Sequence, residues 1–276
     1  MGRFGFVDPS RQRCQAMKIA RFDTDLTDAQ WTLIEPLLPA PHGLGRPRTP
    51  LRQVVDAILY LIKSGCPWRL LPKTFPPWKT VYHFFWHWSR GPIFSGLNDR
   101  LRALVCESEG KLCRPTAAAL DSQTVRSEAH GGAVGYDPGK RTKGRKRLLL
   151  VDTVGMILGA AVVPANDMER AGAKVLLKLL LEWFPWLRKI WVDSGYSGPD
   201  FVGWVREERP QLEIEVIKRS DDLRGFHILP KRWIVERTLA CLVQNRRLAR
   251  DYEQTESSAT GLIYVATIRL MPRRLA

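Results

Sequence analysis

Over the first hundred residues apolar side chains recur at helical spacing. Thr27-Asp28-Ala29-Gln30 has the form of a capping box, with Thr27 as N-cap and Gln30 three positions on. Trp31, Ile34 and Leu38 then share one face, and Pro36 and Pro39 end the helix. A second stripe, Val54, Val55, Ile58, Leu59 and Ile62, predicts a helix from Leu51 to Ser64, with Pro50 at its first turn and Gly65 at its exit. A tight connector through Cys66 and Pro67 leads to a third helix, Trp78 to Trp88, and a fourth follows from Leu97 to Cys106. Around Gly110 to Pro115 the period changes. Strands are expected at 116–121, 148–152 and 156–163, the last two as a hairpin turning at Val154-Gly155. After that come a helix starting at Asn166 and Asp167, a strand at 190–193, a helix at 199–208 with Pro199 in its first turn, a strand at 213–217, and helices at 231–250 and 258–270. Residues 1–22 carry no period and read as a disordered lead-in, or as an upstream extension if Met17 is the true start.

That order divides the chain into a helical part, 23–110, and an α/β part, 115–276. The helical part, with a turn before its third helix, has the outline of a helix-turn-helix unit. In the α/β part three meandering strands precede alternating helices and strands. This predicts a mixed five-stranded sheet of ribonuclease-H-like layout with helices on both faces, in which the first and fourth strands are neighbours.

Charge adds a partner. There are 43 Lys and Arg against 28 Asp and Glu, a net +15, which points to a polyanion such as nucleic acid or an acidic membrane surface; a plain solvated basic surface is the alternative. The cations cluster. Six lie between Lys140 and Arg147 (Lys140, Arg141, Lys143, Arg145, Lys146, Arg147), and that run is expected to meet phosphates. Arg46 and Arg48 flank a Gly-Pro turn that suits a minor groove or a solvated linker. On the third helix Lys79, Thr80, His83 and His87 face DNA if Val81, Phe84, Phe85 and Trp88 pack inward; His83 and His87 share a face but lack a third metal ligand. No apolar run is long enough for a membrane span, and there is no secretory h-region. Five cysteines without a C-x-x-C pair fit free thiols in a reducing cytoplasm.

Three acids sit where a sheet would expose them. Asp121 closes the run Ala117 to Leu120, Asp193 closes Ile190-Trp191-Val192 just before Ser194-Gly195-Tyr196, and Glu236 lies early in a helix. Gathered together they would repel, and at least one would take a proton unless cations neutralised them. Hard oxygen ligands favour Mg²⁺ or Mn²⁺, and two such ions suit cleavage of a phosphodiester. Arg246 and Arg247 ride the same predicted helix as Glu236, Arg247 on its face, where they would hold a phosphate. Asp152 also ends an apolar run, so spacing alone leaves it a rival to Asp193.

Several blocks then resemble one family. They are Leu26-Thr27-Asp28-Ala29-Gln30-Trp31 with Glu35-Pro36-Leu37-Leu38-Pro39; Gly65-Cys66-Pro67-Trp68-Arg69-Leu70-Leu71-Pro72; Leu120-Asp121-Ser122-Gln123; Asp193-Ser194-Gly195-Tyr196-Ser197-Gly198; and Arg232-Trp233-Ile234-Val235-Glu236-Arg237-Thr238 with Asn245-Arg246-Arg247-Leu248. In this order they resemble a bacterial insertion-sequence transposase of the DDE class, in the group typified by insertion sequence five. The resemblance implies a catalytic triad at Asp121, Asp193 and Glu236 and sets Asp152 aside. It also implies two Mg²⁺ or Mn²⁺ ions, binding of terminal inverted repeats in double-stranded DNA, cleavage at the element ends, and joining of the freed 3′-OH to target DNA. A homo-oligomer that pairs two ends, in the bacterial cytoplasm and on the nucleoid when DNA-bound, comes with it. Cys241 departs from the pattern, which leads us to expect Trp there. Two other functions fit the same residues: a metal-dependent nuclease that cuts without joining, and an inactive transposase-derived DNA-binding protein.

Overall fold

The structure is a computed structural model and describes residues 22–40, 49–128, 132–217 and 231–276. Arg46 and Arg48, and residues 1–21 of the lead-in, lie outside the described residues.

The helical part contains α1 (Asp28–Ile34), α2 (Leu51–Ser64), α3 (Trp78–Arg90) and α4 (Ile93–Ser108). The capping box forms: the Gln30 amide N–H donates to Thr27 Oγ1, and the Thr27 N–H donates to Gln30 Oε1, both at 3.2 Å. Gly65 caps α2 in the left-handed region, at φ 74°, where a side chain would be strained. The joint between α2 and α3 is not the three- to four-residue turn of a helix-turn-helix. It is the whole of 65–77, with a 3₁₀ turn at Trp68–Leu70. Four prolines in that stretch keep it from continuing α2.

The α/β part holds β1 (Ala117–Arg126), β2 (Gly135–Asp137), β3 (Thr142–Asp152), β4 (Ile157–Pro164), α5 (Glu169–Leu180), β5 (Lys189–Val192), α6 (Pro199–Glu208), β6 (Glu213–Val216), α7 (Trp233–Val243) and α8 (Glu256–Leu275). The sheet has six strands rather than five, in the order β2-β3-β1-β5-β6, with β4 also paired to β3. The extra strand comes from a stretch read as connection. β2 pairs antiparallel with Thr142–Gly144 at one end of β3, while β4 pairs with 145–151 on the remainder. β1 runs antiparallel to β3 and parallel to β5, and β5 runs parallel to β6.

Strand alternation sorts the core into two layers. Ala118, Leu120, Leu148, Leu150, Ile190 and Val192 pack against α5 and α6. Ala119, Leu149 and Val151 pack against α7, α8 and the helices of the N-terminal part. The second layer is continuous: Val54, Ile58, Phe85, Leu101, Val235, Leu239 and Ile263 belong to one cluster. Each such fully buried side chain contributes about 1.5–3 kcal/mol. A buried polar tie reinforces the seam, in which the Asn98 amide donates to the Ile157 carbonyl (2.8 Å) and the Thr267 hydroxyl donates to Asn98 Oδ1 (2.8 Å).

The long helix expected at 231–250 does not run through. α7 stops at Val243, and a separate 3₁₀ turn carries Arg246–Leu248. No helix among the described residues is long and apolar enough to cross a membrane.

Candidate active site

β1 and β5 are in register through Ala119 and Trp191, so the residues two further along come level where β5 ends and β1 continues along β3 to Arg126, beyond the strand expected at 116–121. Those residues are Asp121 and Asp193. Both keep the parity of Ala119 and Trp191, which pack on the α7 side. α7 crosses that face and carries Glu236 in its first turn. Two contacts from α7 to the β3–β4 turn fix where it lies: the Thr238 hydroxyl donates to the Gly155 carbonyl (3.0 Å), and Arg237 Nη2 donates to the Val154 carbonyl (2.9 Å).

The three carboxylates meet at Arg232. Its Nη2 stands 3.6 Å from Asp121 Oδ2, 3.7 Å from Asp193 Oδ2 and 3.1 Å from Glu236 Oε1. The side chains open outward, from 14 % exposed at Asp121 to 28 % at Asp193 and 42 % at Glu236, as in a cleft that a large substrate can reach. Burial pushes the Asp121 carboxyl up to about 6, and the charges of Asp193 and Glu236 add to the push. The Ser122 N–H, which donates to Asp121 Oδ1 at 2.7 Å, and the Arg232 guanidinium oppose it. Asp193 Oδ1 accepts the Gly195 N–H at 2.7 Å, which caps the 3₁₀ turn Ser194–Tyr196 and holds the carboxylate at the strand end. A Cβ at Gly195 would stand 2.5 Å from Glu169 Oε2 and 2.9 Å from Asp193 Oδ1, so a side chain there would push these carboxylate ends aside.

Arg232 is held from behind. Lys231, at φ 74°, is in a backbone region costly for a side-chain-bearing residue. Its ammonium pairs with Glu215 Oε1 (2.9 Å) and lies 5.3 Å from the centre of the Trp191 ring. Glu215 also accepts the Trp191 indole N–H (3.0 Å) and pairs with Lys189 (3.2 Å), and these partners, Lys231 foremost, hold its carboxyl down at about 2.

Sequence reasoning missed Arg232. The signal was there: three acids need a cation, and an arginine four residues before Glu236 shares its helical face. It missed Glu169 too, whose Oε1 accepts the Ser122 hydroxyl at 3.0 Å beside Asp121. Nothing local marks Glu169, which is far from β1 in sequence.

Asp152 is elsewhere. Its Oδ1 accepts the N–H groups of Val154 (3.0 Å) and Met156 (2.9 Å), so it builds the β3–β4 turn, and burial raises its pKa.

The basic run divides. Lys140, Arg141 and Lys143 are exposed around the β2–β3 turn, whereas Arg145, Lys146 and Arg147 are buried, against the expectation that all six face phosphates. Arg145 and Arg147 point to the layer of Leu149 and Val151. There Arg145 pairs with Asp251 (2.9 Å) and donates to the carbonyls of Glu253 (2.8 Å), Ala133 (2.9 Å) and Gln254 (3.1 Å). Arg147 donates to the Leu248 carbonyl (2.6 Å), and burial pulls its pKa down to about 10. Lys146, of opposite parity, donates to the Asp167 carbonyl (2.7 Å) on the other face.

Arg247 is also corrected. Once α7 ends at Val243 it cannot lie on the Glu236 face. It is buried instead and bound through two nitrogens to Glu253 Oε1 (2.7 and 3.0 Å). Arg246 is exposed. On α3, Lys79 and His83 are exposed and Thr80 is half-buried. The His83 and His87 rings lie 4.3 Å apart.

Among the described residues no group of three His, Cys, Asp or Glu closes on a point a metal could take, and at the triad the centre is filled by Arg232. The donor set nevertheless suits divalent cations: three hard carboxylates share one positive charge, leaving them under-neutralised. Cys241, half-buried on α7, lines a cavity of about 430 Å³ with Gly155, Met156, Thr238 and Met271.

Comparison with known proteins agrees with this layout. A family described as "Putative transposase of IS4/5 family" matches residues 26–98, and the family "Transposase DDE domain" matches residues 113–271. The chain is 29 % identical over 120 residues to "Insertion element IS402 uncharacterized 16.2 kDa protein" of Burkholderia cepacia, covering 41 % of this chain and 80 % of that one. It is 28 % identical over 120 residues to "Uncharacterized protein y4sN" of Sinorhizobium fredii (strain NBRC 101917 / NGR234), covering 43 % of this chain and 86 % of that one. A mixed sheet that brings acids from β1, β5 and α7 around one arginine, together with these matches, places the chain in the family of DDE-domain transposases of the IS4/5 type.

Proposed function

We propose that this transposase binds the terminal inverted repeats of its insertion sequence, cuts at the element ends and joins the freed 3′-OH to target DNA, with Asp121, Asp193 and Glu236 as catalytic residues. The observation that carries the reading is the convergence of these acids on a single Arg232 nitrogen. The same three side chains would hold divalent cations, Mg²⁺ or Mn²⁺, most simply two. When bound, such ions supply charge stabilisation to the attacking and leaving oxygens of a phosphodiester.

The protein's own share is placement. Asp121 and Asp193 sit at fixed heights on two hydrogen-bonded strands, so their spacing is set by the sheet. Glu236 comes from a helix and is the most exposed of the three, so it can adjust as the substrate changes. In the first step water attacks phosphorus at the element boundary. A P–O bond forms, the bond to the element's 3′-oxygen breaks, and the element keeps a free 3′-OH. In the second, that hydroxyl attacks a target phosphodiester, and the target's own 3′-oxygen leaves. The number of P–O bonds is unchanged, so no nucleotide cofactor is required.

DNA recognition is assigned to residues 23–110, with the exposed Lys79 and His83 and the half-buried Thr80 on α3, and Arg46 and Arg48 in the stretch before α2. The exposed Lys140, Arg141, Lys143 and Arg246 serve the backbone. Joining two ends calls for at least two copies of the chain, and a cytoplasmic location follows from a DNA substrate.

The test is a strand-transfer reaction with end DNA, target DNA and Mg²⁺. Joined product from the native chain and none from Asp121→Asn or Asp193→Asn is expected. Cleavage without joining would make it a nuclease. End-specific binding without cleavage would make it a transposase-derived binding protein.

A further inference from the structure

An open groove of about 480 Å³ lies between the loop before α3 and the segment after α7. Trp68, Trp78, Tyr82 and Tyr252 line it. Trp68 and Tyr82 pack edge to face, with ring centres 5.1 Å apart. Trp78 is half-buried and Tyr252 is 40 % exposed, so neither is a core ring. The rim is cationic. Arg69 and Lys79, both exposed, stand 5.7 and 5.9 Å from the Trp78 ring centre. The acid in the lining, Glu253, is buried and bound by Arg247, so it offers the groove little negative charge. Arg247 in turn lies 5.1 Å from the Tyr252 ring centre, which holds that ring at the groove edge.

Half-exposed aromatic rings beside free cations match a flat π-system that carries an anion, which is the make-up of a nucleotide. A hydrophobic partner would find the rim mismatched, and a bare phosphate would have no use for the rings. The groove's size falls within the range of small-molecule sites. Its place in the fold ties it to the sheet, for Asp251, next to Tyr252, bridges to Ser127 at the far end of β1. Ser127 is six residues beyond Asp121 on that strand, roughly 20 Å at about 3.3 Å per residue. That is on the order of six nucleotide steps along one DNA strand.

We propose that this groove is a second nucleic-acid site, which takes an unpaired nucleobase of the DNA substrate between Trp78 and Tyr252 and its phosphate against Arg69 and Lys79. The assignment rests on DNA being the substrate, as proposed above. A paired base offers no free face to these rings, so the site discriminates for melted or single-stranded DNA.

The experiment measures binding of a labelled oligothymidine twelve nucleotides long and of a twelve-base-pair duplex to the full chain. Native protein is expected to bind both, and oligothymidine should quench its tryptophan emission. Trp78→Ala with Tyr252→Ala should weaken oligothymidine binding tenfold or more, within the range of base–aromatic stacking, and duplex binding less than threefold. Trp78→Phe with Tyr252→Phe, which keeps the rings, should restore oligothymidine binding. Arg69→Gln with Lys79→Gln changes exposed side chains only, so it tests the rim even if the alanine variant does not fold. It should lower the salt dependence of oligothymidine binding. Unchanged oligothymidine binding in folded alanine and rim variants, or equal losses for both DNAs in the alanine variant, overturns the groove assignment alone; Lys79 also serves duplex binding, so the rim variant is read on oligothymidine only. Failure of the native chain to bind either DNA overturns both this inference and the DNA-substrate reading.

Discussion

Arg145 tests most directly whether the basic run is a DNA surface or a structural frame. Its side chain is fully buried and pairs with Asp251 at 2.9 Å, and Asp251 is itself only 3 % exposed. It also donates to three backbone carbonyls, those of Ala133, Glu253 and Gln254. Arg145→Ala removes the cation and leaves a buried carboxylate supported by the Ser127 hydroxyl (2.9 Å) and the Glu253 N–H (3.2 Å). Breaking a buried ion pair from one side costs about 3–5 kcal/mol. A loss of ~4 kcal/mol is a large share of the 5–15 kcal/mol typical of a folded domain. At about 2–4 °C per kcal/mol for chains of roughly this size, Tm should fall by on the order of 10 °C. The assay is urea and thermal unfolding of Arg145→Ala beside Lys143→Ala, with DNA affinity measured across salt. Lys143→Ala should melt within about 0.5 kcal/mol of native and lower the salt slope by roughly one. Arg145→Met with Asp251→Leu should cost less than the sum of the single changes, because the two charges of the pair go together; the cost that remains falls on Arg147, which also draws on the Asp251 charge. If Arg145→Ala melts like native while losing DNA affinity and salt slope, the buried frame is wrong and the side chain reaches phosphate.

Three further outcomes are expected. Arg232→Gln removes the cation that shares the triad's centre, so Mn²⁺ binding by calorimetry should tighten about tenfold, ~1.4 kcal/mol, with a lower Tm in chelator; weaker Mn²⁺ binding would mean that Arg232 does not compete with metal. Cys241→Trp places an aromatic ring against the cavity of about 430 Å³ beside α7. If roughly 50–100 Å² of apolar surface is newly covered, stability should rise by about 1–2 kcal/mol, and a lower Tm would show that the space cannot take the ring. Glu169→Gln keeps a carbonyl for the Ser122 hydroxyl but removes a charge near Asp193 and Asp121, so strand transfer should fall less than tenfold, whereas Glu169→Ala should fall further; equal rates would show that the Ser122 contact does not position the site.

Much of the local structure is written in the chain itself. The Thr27–Gln30 capping box, the 51–64 helix with its Gly65 exit, the 199–208 helix and the turn at Val154-Gly155 all follow from neighbours a few residues apart. So does the placement of Asp121 and Asp193 beside buried runs, because period-two alternation and a glycine turn are local features. Three readings failed where the deciding partner was distant. Arg145 and Arg147 look like surface cations in sequence, yet their carbonyl and carboxylate partners lie about a hundred residues away. Arg247 is paired with Glu236 in sequence because residues eleven apart nearly superpose on one helix, but α7 stops at Val243 and 246–248 form a separate 3₁₀ turn against Gly65 at the end of α2. β2 is too short to show a period and exists because β3 offers it an edge.

The sequence by itself therefore determined most of the elements, their order and the acids beside buried runs, since these depend on periodicity and turn chemistry within a few residues; Asp121 nevertheless lies within β1, which runs on to Arg126 along β3. Tertiary structure alone decided which cations are free to meet DNA, and that Arg232 stands among Asp121, Asp193 and Glu236. Both depend on which side chains from remote segments come to share one buried space, and a linear pattern does not encode that distance.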